Sequence, residues 1–161
     1  MRSLASLRRL LIEQAASHLE LQIPLWVLLR YAAWTLLTLF PTVGVYRWSQ
    51  ILTGRTDIAE WRAEEVQGNE WYRRAVCAHQ NCLENLPLYT AIVVALVATQ
   101  STNPLLDGLA ITILVARVCQ TLIHLSVEQT NVFASLRFAF FLMQAICMVG
   151  MGVLIATAAS A

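Results

Sequence analysis

The chain has 161 residues, 58% of them hydrophobic and only 13% charged, with a formal net charge of +1. That apolar excess excludes an ordinary soluble domain, in which about a quarter of residues are charged, and points to an integral membrane protein. The near-neutral balance gives no ground for a nucleic-acid partner, and the chain has arginine but no lysine.

Residues 1–22 carry Arg2, Arg8 and Arg9 among leucines, then Glu13, His18 and Glu20. Leu4, Leu7 and Leu11 share a face at helical spacing, which predicts an amphipathic helix lying in the membrane interface. A cleaved signal peptide is the alternative. Its apolar core would have to be Leu10, Leu11 and Ile12, too short a run and broken by Glu13, so retention is the expectation. Residues 23–161 form one further unit, with no internal repeat.

A first span runs from Leu25 to Tyr46, long enough for a hydrocarbon core that needs about 20 helical residues. Arg30 near its start can snorkel to the headgroups. Pro41 removes a backbone donor inside the helix and predicts a kink. Tyr46, Arg47 and Trp48 read as an interfacial anchor. Ser49 to Glu70 is polar with charges of mixed sign: a solvated loop with a short helix over Ile58–Val66, and with Trp61 against the membrane surface. The second span covers Trp71 to Thr99, the third Leu105 to Leu125 and the fourth Phe133 to Ala156. Asn103-Pro104 marks the turn between the second and third. Short second and third connections imply an antiparallel bundle, so the fold class is all-α, an integral membrane four-helix bundle.

The arginines near span ends set the orientation. Arg47, Arg55, Arg62, Arg73, Arg74 and Arg137 fall on one side, which places the first and third connections in the cytoplasm. Both termini then lie on the opposite side. The four cysteines, Cys77, Cys82, Cys119 and Cys147, include no C-x-x-C pair. They are expected to be mostly small buried hydrophobes, with no metal ligand set.

Polar residues at helical spacing carry the chemistry. In the second span Arg74, Cys77, Asn81 and Glu84 recur at i, i+3, i+7 and i+10. In the third, Arg117, Gln120 and His124 share a face, and in the fourth Arg137, Phe141 and Gln144 do. The start of the second helix, the end of the third and the start of the fourth meet on one membrane side, so these stripes are expected to line one cavity open to the cytoplasm. The bland readings are an Arg117–Glu84 ion pair inside the bundle, a satisfied interfacial His124, and headgroup contacts for Arg73, Arg74 and Arg137. Arginine forks suit carboxylates, Glu84 suits an ammonium and Asn81 suits either. Together they fit a zwitterionic peptide such as glutathione, with a nearby cation favouring its thiolate.

At these residues the sequence resembles the MAPEG family, the membrane-associated proteins in eicosanoid and glutathione metabolism. The signature is Arg74-x-x-x-Ala78-His79-x-Asn81-x-x-Glu84-x-x-Pro87. Asn103-Pro104, Ala116-Arg117-Val118 and Leu136-Arg137 extend the likeness over residues 25–157. The resemblance implies a homotrimer of four-helix protomers, with glutathione held between neighbouring subunits near the cytoplasmic face. It carries binding roles to Arg47, Arg74, Asn81 and Glu84, and the role of the thiol-activating, catalytic cation to Arg137. Cys77 and Gln80 stand where the prostaglandin-synthesising members have arginine, His124 where a glutathione-contacting tyrosine is usual, and Phe141 where some members have tyrosine near the thiol. Gln80, Gln120, His124 and Phe141 complete the expected binding set. The expected activity is a glutathione-dependent transferase or peroxidase acting on lipophilic electrophiles from the bilayer. The alternative is a non-catalytic lipid-binding or scaffold protein of the same fold; a small transporter is a weaker third reading.

Overall fold

The computed structural model describes residues 22–58, 68–128 and 130–160. They form four helices, α1 (Ile23–Leu52), α2 (Glu70–Thr99), α3 (Pro104–Ser126) and α4 (Asn131–Ser160), each long and apolar enough to cross a membrane. No strand occurs among the described residues. The expected N-terminal amphipathic helix and the loop residue Trp61 lie outside the described residues, as does the expected loop helix beyond Ile58.

Pro24 opens α1, where its missing N–H would have had no intrahelical partner. The kink expected at Pro41 takes a specific form, a π-helical turn over Leu39–Gly44. There the Val45 N–H reaches back to the Phe40 carbonyl, one residue further than in an α-helix. The wider turn accommodates the proline ring without ending the helix, which runs on to Leu52. Tyr46, expected to end the span, and Arg47 and Trp48, expected just past it, therefore occupy its last turns.

Asparagines set the starts of α2 and α3. Asn69 Oδ1 accepts the Tyr72 N–H at 2.8 Å at the head of α2, and Asn103 Oδ1 accepts the Leu105 N–H at 2.9 Å at the head of α3. Such caps satisfy donors that the helix cannot. Pro87 lies within α2 and the helix continues through it, ending at Gln100 in the left-handed region with φ 51°.

One apolar core runs through the bundle, built from Val27 and Tyr31 of α1, Tyr89, Val93 and Leu96 of α2, Leu106, Ala110 and Ile113 of α3, and Met148, Met151 and Ile155 of α4. Ala110 lets helices approach closely, and α3 and α4 make the most extensive pairing. The Tyr89 hydroxyl donates to the Pro24 carbonyl at 3.0 Å, tying α2 to the start of α1. A second, smaller cluster of Val43, Tyr72 and Val76, flanked by Leu39 and Tyr46, sits at the other end of α1 and the start of α2. Large apolar side chains such as Leu36, Phe40, Val94, Val115, Ile146 and Val153 face outward, as lipid-facing positions require.

Candidate functional site

The smaller cluster fixes where the polar end of α2 points. Tyr46 and Tyr72 stack with ring centroids 4.3 Å apart and planes 19° from parallel. Arg47 Nε donates to the Tyr72 hydroxyl at 2.6 Å. Gly68, at φ 141°, lies so close that a Cβ there would be 2.6 Å from the Tyr72 ring. A side chain at that position is excluded twice, by conformation and by space. With Tyr72 fully buried, the next residues on the helix, Arg73 and Arg74, turn away from the core.

They turn into a cleft of about 310 Å³ lined by Glu70, Arg73, Arg74, Cys77 and His124. Arg74 is half-buried, and its Nε is shielded from solvent with no hydrogen-bond partner. His124, from the last turn of α3, is within electrostatic reach of both Arg74 and Arg137. Three helices thus bring two arginines and a histidine together, Arg73 adds a fourth basic group at the rim, and among the described residues Glu70 is the one carboxylate lining the cleft. A half-buried guanidinium with an unused donor asks for an anionic acceptor.

A larger cleft, about 510 Å³, lies at the opposite end of the bundle between Gln22, Ser101, Asn103 and Asp107. Among the described residues no arginine or histidine lines it.

The other expected site residues are distributed as follows. Arg47 engages Tyr72 at the edge of the same end. Asn81 is half-buried one turn below Cys77, whereas Gln80 and Glu84 are exposed on the outer face of α2. Phe141 is also exposed, in contact with Phe138 at 6.4 Å between centroids. Gln120 is buried and accepts from Gln144 Nε2 at 2.9 Å, and the same Nε2 also donates to the Phe140 carbonyl. Gln120 and Gln144 are therefore a clasp between α3 and α4 within the protomer, not part of the cleft wall.

The expected Arg117–Glu84 pair is not formed. Arg117 is 1% exposed, its Nε and Nη2 have no hydrogen-bond partner, and Glu84 faces outward from α2. The reason is helical phase: Cys82 and Asn85, not Glu84, occupy the inward face of that turn. Cys82 and Cys147 are buried as expected, but Cys77 is exposed in the cleft. Arg73 and Cys77 are cleft residues whose part in the site the stripe pattern understated. The Arg73-Arg74 doublet was the available signal.

A family model described as the MAPEG family matches residues 24–157, most of the chain. No curated protein and no solved structure matches it.

Proposed function

The chain belongs to the MAPEG family, and on that footing we propose that it is a membrane-embedded, glutathione-dependent transferase or peroxidase acting on lipophilic electrophiles. Members of the family commonly use glutathione, and they include transferases, peroxidases and non-catalytic proteins. The observation that carries the proposal is the cleft of Arg73, Arg74, Cys77 and His124, with Arg74 Nε shielded and unpartnered.

The donor set fits the tripeptide. Glutathione carries two carboxylates, and Arg73 and Arg74 offer forked, permanently charged donors to them. When bound, glutathione supplies the thiol nucleophile. Arg137, beside His124, is the chain's cation for holding that thiol in its ionised form. Volume limits what one protomer does alone, because about 310 Å³ lies at the small end of ligand pockets, which span roughly 300–1,000 Å³.

Glu84 supplies the reason for a second copy. Counting back about 20 residues from Thr99, the length that crosses the hydrocarbon, places Glu84 roughly one turn inside it. An outward carboxylate at such a depth costs about 2.5–3.5 kcal/mol near the span centre and less toward the interface. A neighbouring subunit of a homotrimer, packed over Gln80, Asn81 and Glu84, removes that exposure and extends the cleft. In this assembly Asn81 and Glu84 contact glutathione across the seam. The cleft end carries Arg47, Arg55, Arg73, Arg74 and Arg137, so it faces the cytoplasm, where glutathione is abundant.

The direct test is turnover by the detergent-solubilised protein of a lipophilic hydroperoxide and of a lipophilic haloarene with glutathione. Activity toward either, reduced in Arg137→Leu, supports the proposal. Absence of turnover of both, together with retained binding of a lipid ligand, replaces it with the non-catalytic lipid-binding function.

A further inference from the structure

The cleft at the opposite end of the bundle from the arginines has a chemistry of its own. It opens between the start of α1, the end of α2 and the start of α3, with a volume of about 510 Å³. Pro24, Leu96 and Leu106 give it an apolar wall, and all three are buried. Gln22, Ser101 and Asp107, each half-buried, supply polar groups beside that wall.

The hydrogen bonds around the cleft turn these polar groups into acceptors. Thr99 has one hydroxyl proton, and its Oγ1 donates to the Ala95 and Leu96 carbonyls at 2.9 Å and 3.2 Å. The 2.8 Å contact between Thr99 Oγ1 and Ser101 Oγ then takes its proton from Ser101. That leaves the Ser101 oxygen to accept. Asp107 lies in the first turn of α3, but capping falls to Asn103. The Asn103 Oδ1 accepts the Leu105 N–H, and its carbonyl accepts the Leu106 N–H, both at 2.9 Å. The Asp107 carboxylate is thus left on the cleft wall, and an ionised carboxylate only accepts. Gln22 Oε1 is shielded from solvent and has no hydrogen-bond partner, a state that costs free energy until a donor arrives. The end of α2 adds the negative pole of its helix dipole.

We propose that this cleft binds a primary alkylammonium group, with its N–H donors directed to Asp107, Ser101 and Gln22 and its carbon chain against Pro24, Leu96 and Leu106. An ammonium of this kind brings one positive charge and three donors, which suits one carboxylate flanked by neutral oxygens. A quaternary ammonium carries the same charge but no N–H. A bare monovalent ion would leave most of the 510 Å³ unfilled. The spans of α2 and α3 end and begin at Thr99 and Pro104, so the cleft lies at the level of the lipid headgroups. Primary ammonium reaches that level as the ethanolamine headgroup of a phospholipid or as a free aliphatic amine. The inference is independent of what the cation-rich cleft binds.

The experiment follows the melting of the full chain in detergent as a short-chain phosphatidylethanolamine is added, with phosphatidylcholine of the same acyl chains in parallel. The ethanolamine lipid is expected to raise the melting temperature in a saturable way. The choline lipid should need about tenfold more for the same rise, as loss of hydrogen bonds to a charged group implies. Asp107→Asn should raise the half-saturating concentration of the ethanolamine lipid about tenfold or more. Ser101→Ala, a milder change in the turn, should raise it roughly fivefold and keeps the test open if Asp107→Asn fails to fold. Free ethanolamine assigns the source: a response at the same concentrations as the lipid identifies a soluble amine, and a response confined to the lipid identifies the headgroup. Equal responses to the two lipids, or no response to either lipid or to ethanolamine, overturn the inference. So does a preference for ethanolamine lipid that neither variant alters.

Discussion

The two faces of α2 are built on opposite principles. Its inner face is finished within one protomer: Tyr72, Val76, Cys82, Tyr89, Val93 and Leu96 are buried, and Tyr89 spends its hydroxyl on the α1 backbone. Its outer face carries Arg73, Cys77, Gln80 and Glu84, all exposed. A helix crossing lipid normally does the reverse, turning polar groups inward and apolar ones outward. The contrast teaches that the protomer's own fold turns much of the conspicuous polar signature outward, while His79 is turned inward, its Nδ1 3.4 Å from Thr38 Oγ1 of α1. In the function proposed above those residues meet a ligand and another copy of the chain, whereas polar pairs within the protomer are quiet ones, Gln120 with Gln144 and Arg47 with Tyr72.

That contrast can be broken at both faces. The largest stability effect belongs to an inner contact. Gln144→Leu leaves the buried Gln120 Oε1 without its donor and should destabilise the bundle by about 1–3 kcal/mol, read by thermal melting, while glutathione affinity stays unchanged. A loss of affinity matching the loss of stability would place the clasp within the site. At the head of the same helix, Asn69→Ala removes the cap from the Tyr72 N–H and should cost about 1 kcal/mol. It loosens the Tyr46–Tyr72 stack that aims Arg73 and Arg74, so weaker glutathione binding should accompany it. The smallest effect is the most discriminating. Because Glu84 faces outward and Arg117 inward, the two should be additive in a double-mutant cycle, with coupling under about 0.5 kcal/mol. A coupling of several kcal/mol would restore the ion pair and with it a different phase for α2.

The order and extent of the helices were legible because four apolar stretches long enough to span lipid leave little choice, and the Asn103-Pro104 turn marks its own boundary. The end of α1 shows the limit of that kind of reasoning: hydropathy ends the first span at Tyr46, while the π turn at Pro41 carries the helix to Leu52. Proline announces a disturbance, but whether the chain bends, breaks or widens depends on packing against its neighbours. The direction in which each polar stripe points was not legible. Spacing at i, i+3 and i+7 identifies residues on a shared face without saying which way the face points. Each residue of an α-helix rotates by about 100°, so the two steps from Cys82 to Glu84 turn through about 200° and put one inside and the other outside on one turn. Arg117 and Gln120 shared the stripe of His124, yet only His124 reaches the cleft, because the helix sinks away from the opening by one turn every 5.4 Å or so.

On the function proposed above, the cation-rich cleft at the head of α2 binds glutathione through Arg73 and Arg74, which line it. An equilibrium isotherm for glutathione with the detergent-solubilised protein, repeated on Arg74→Ala, tests it most directly. Removing a charge-assisted contact from a half-buried site should cost about 1.5–3 kcal/mol, a weakening of roughly tenfold to a hundredfold, without a matching loss of thermal stability. Glutathione binding that Arg74→Ala leaves untouched, or no saturable binding by the wild type at millimolar concentration, would contradict it.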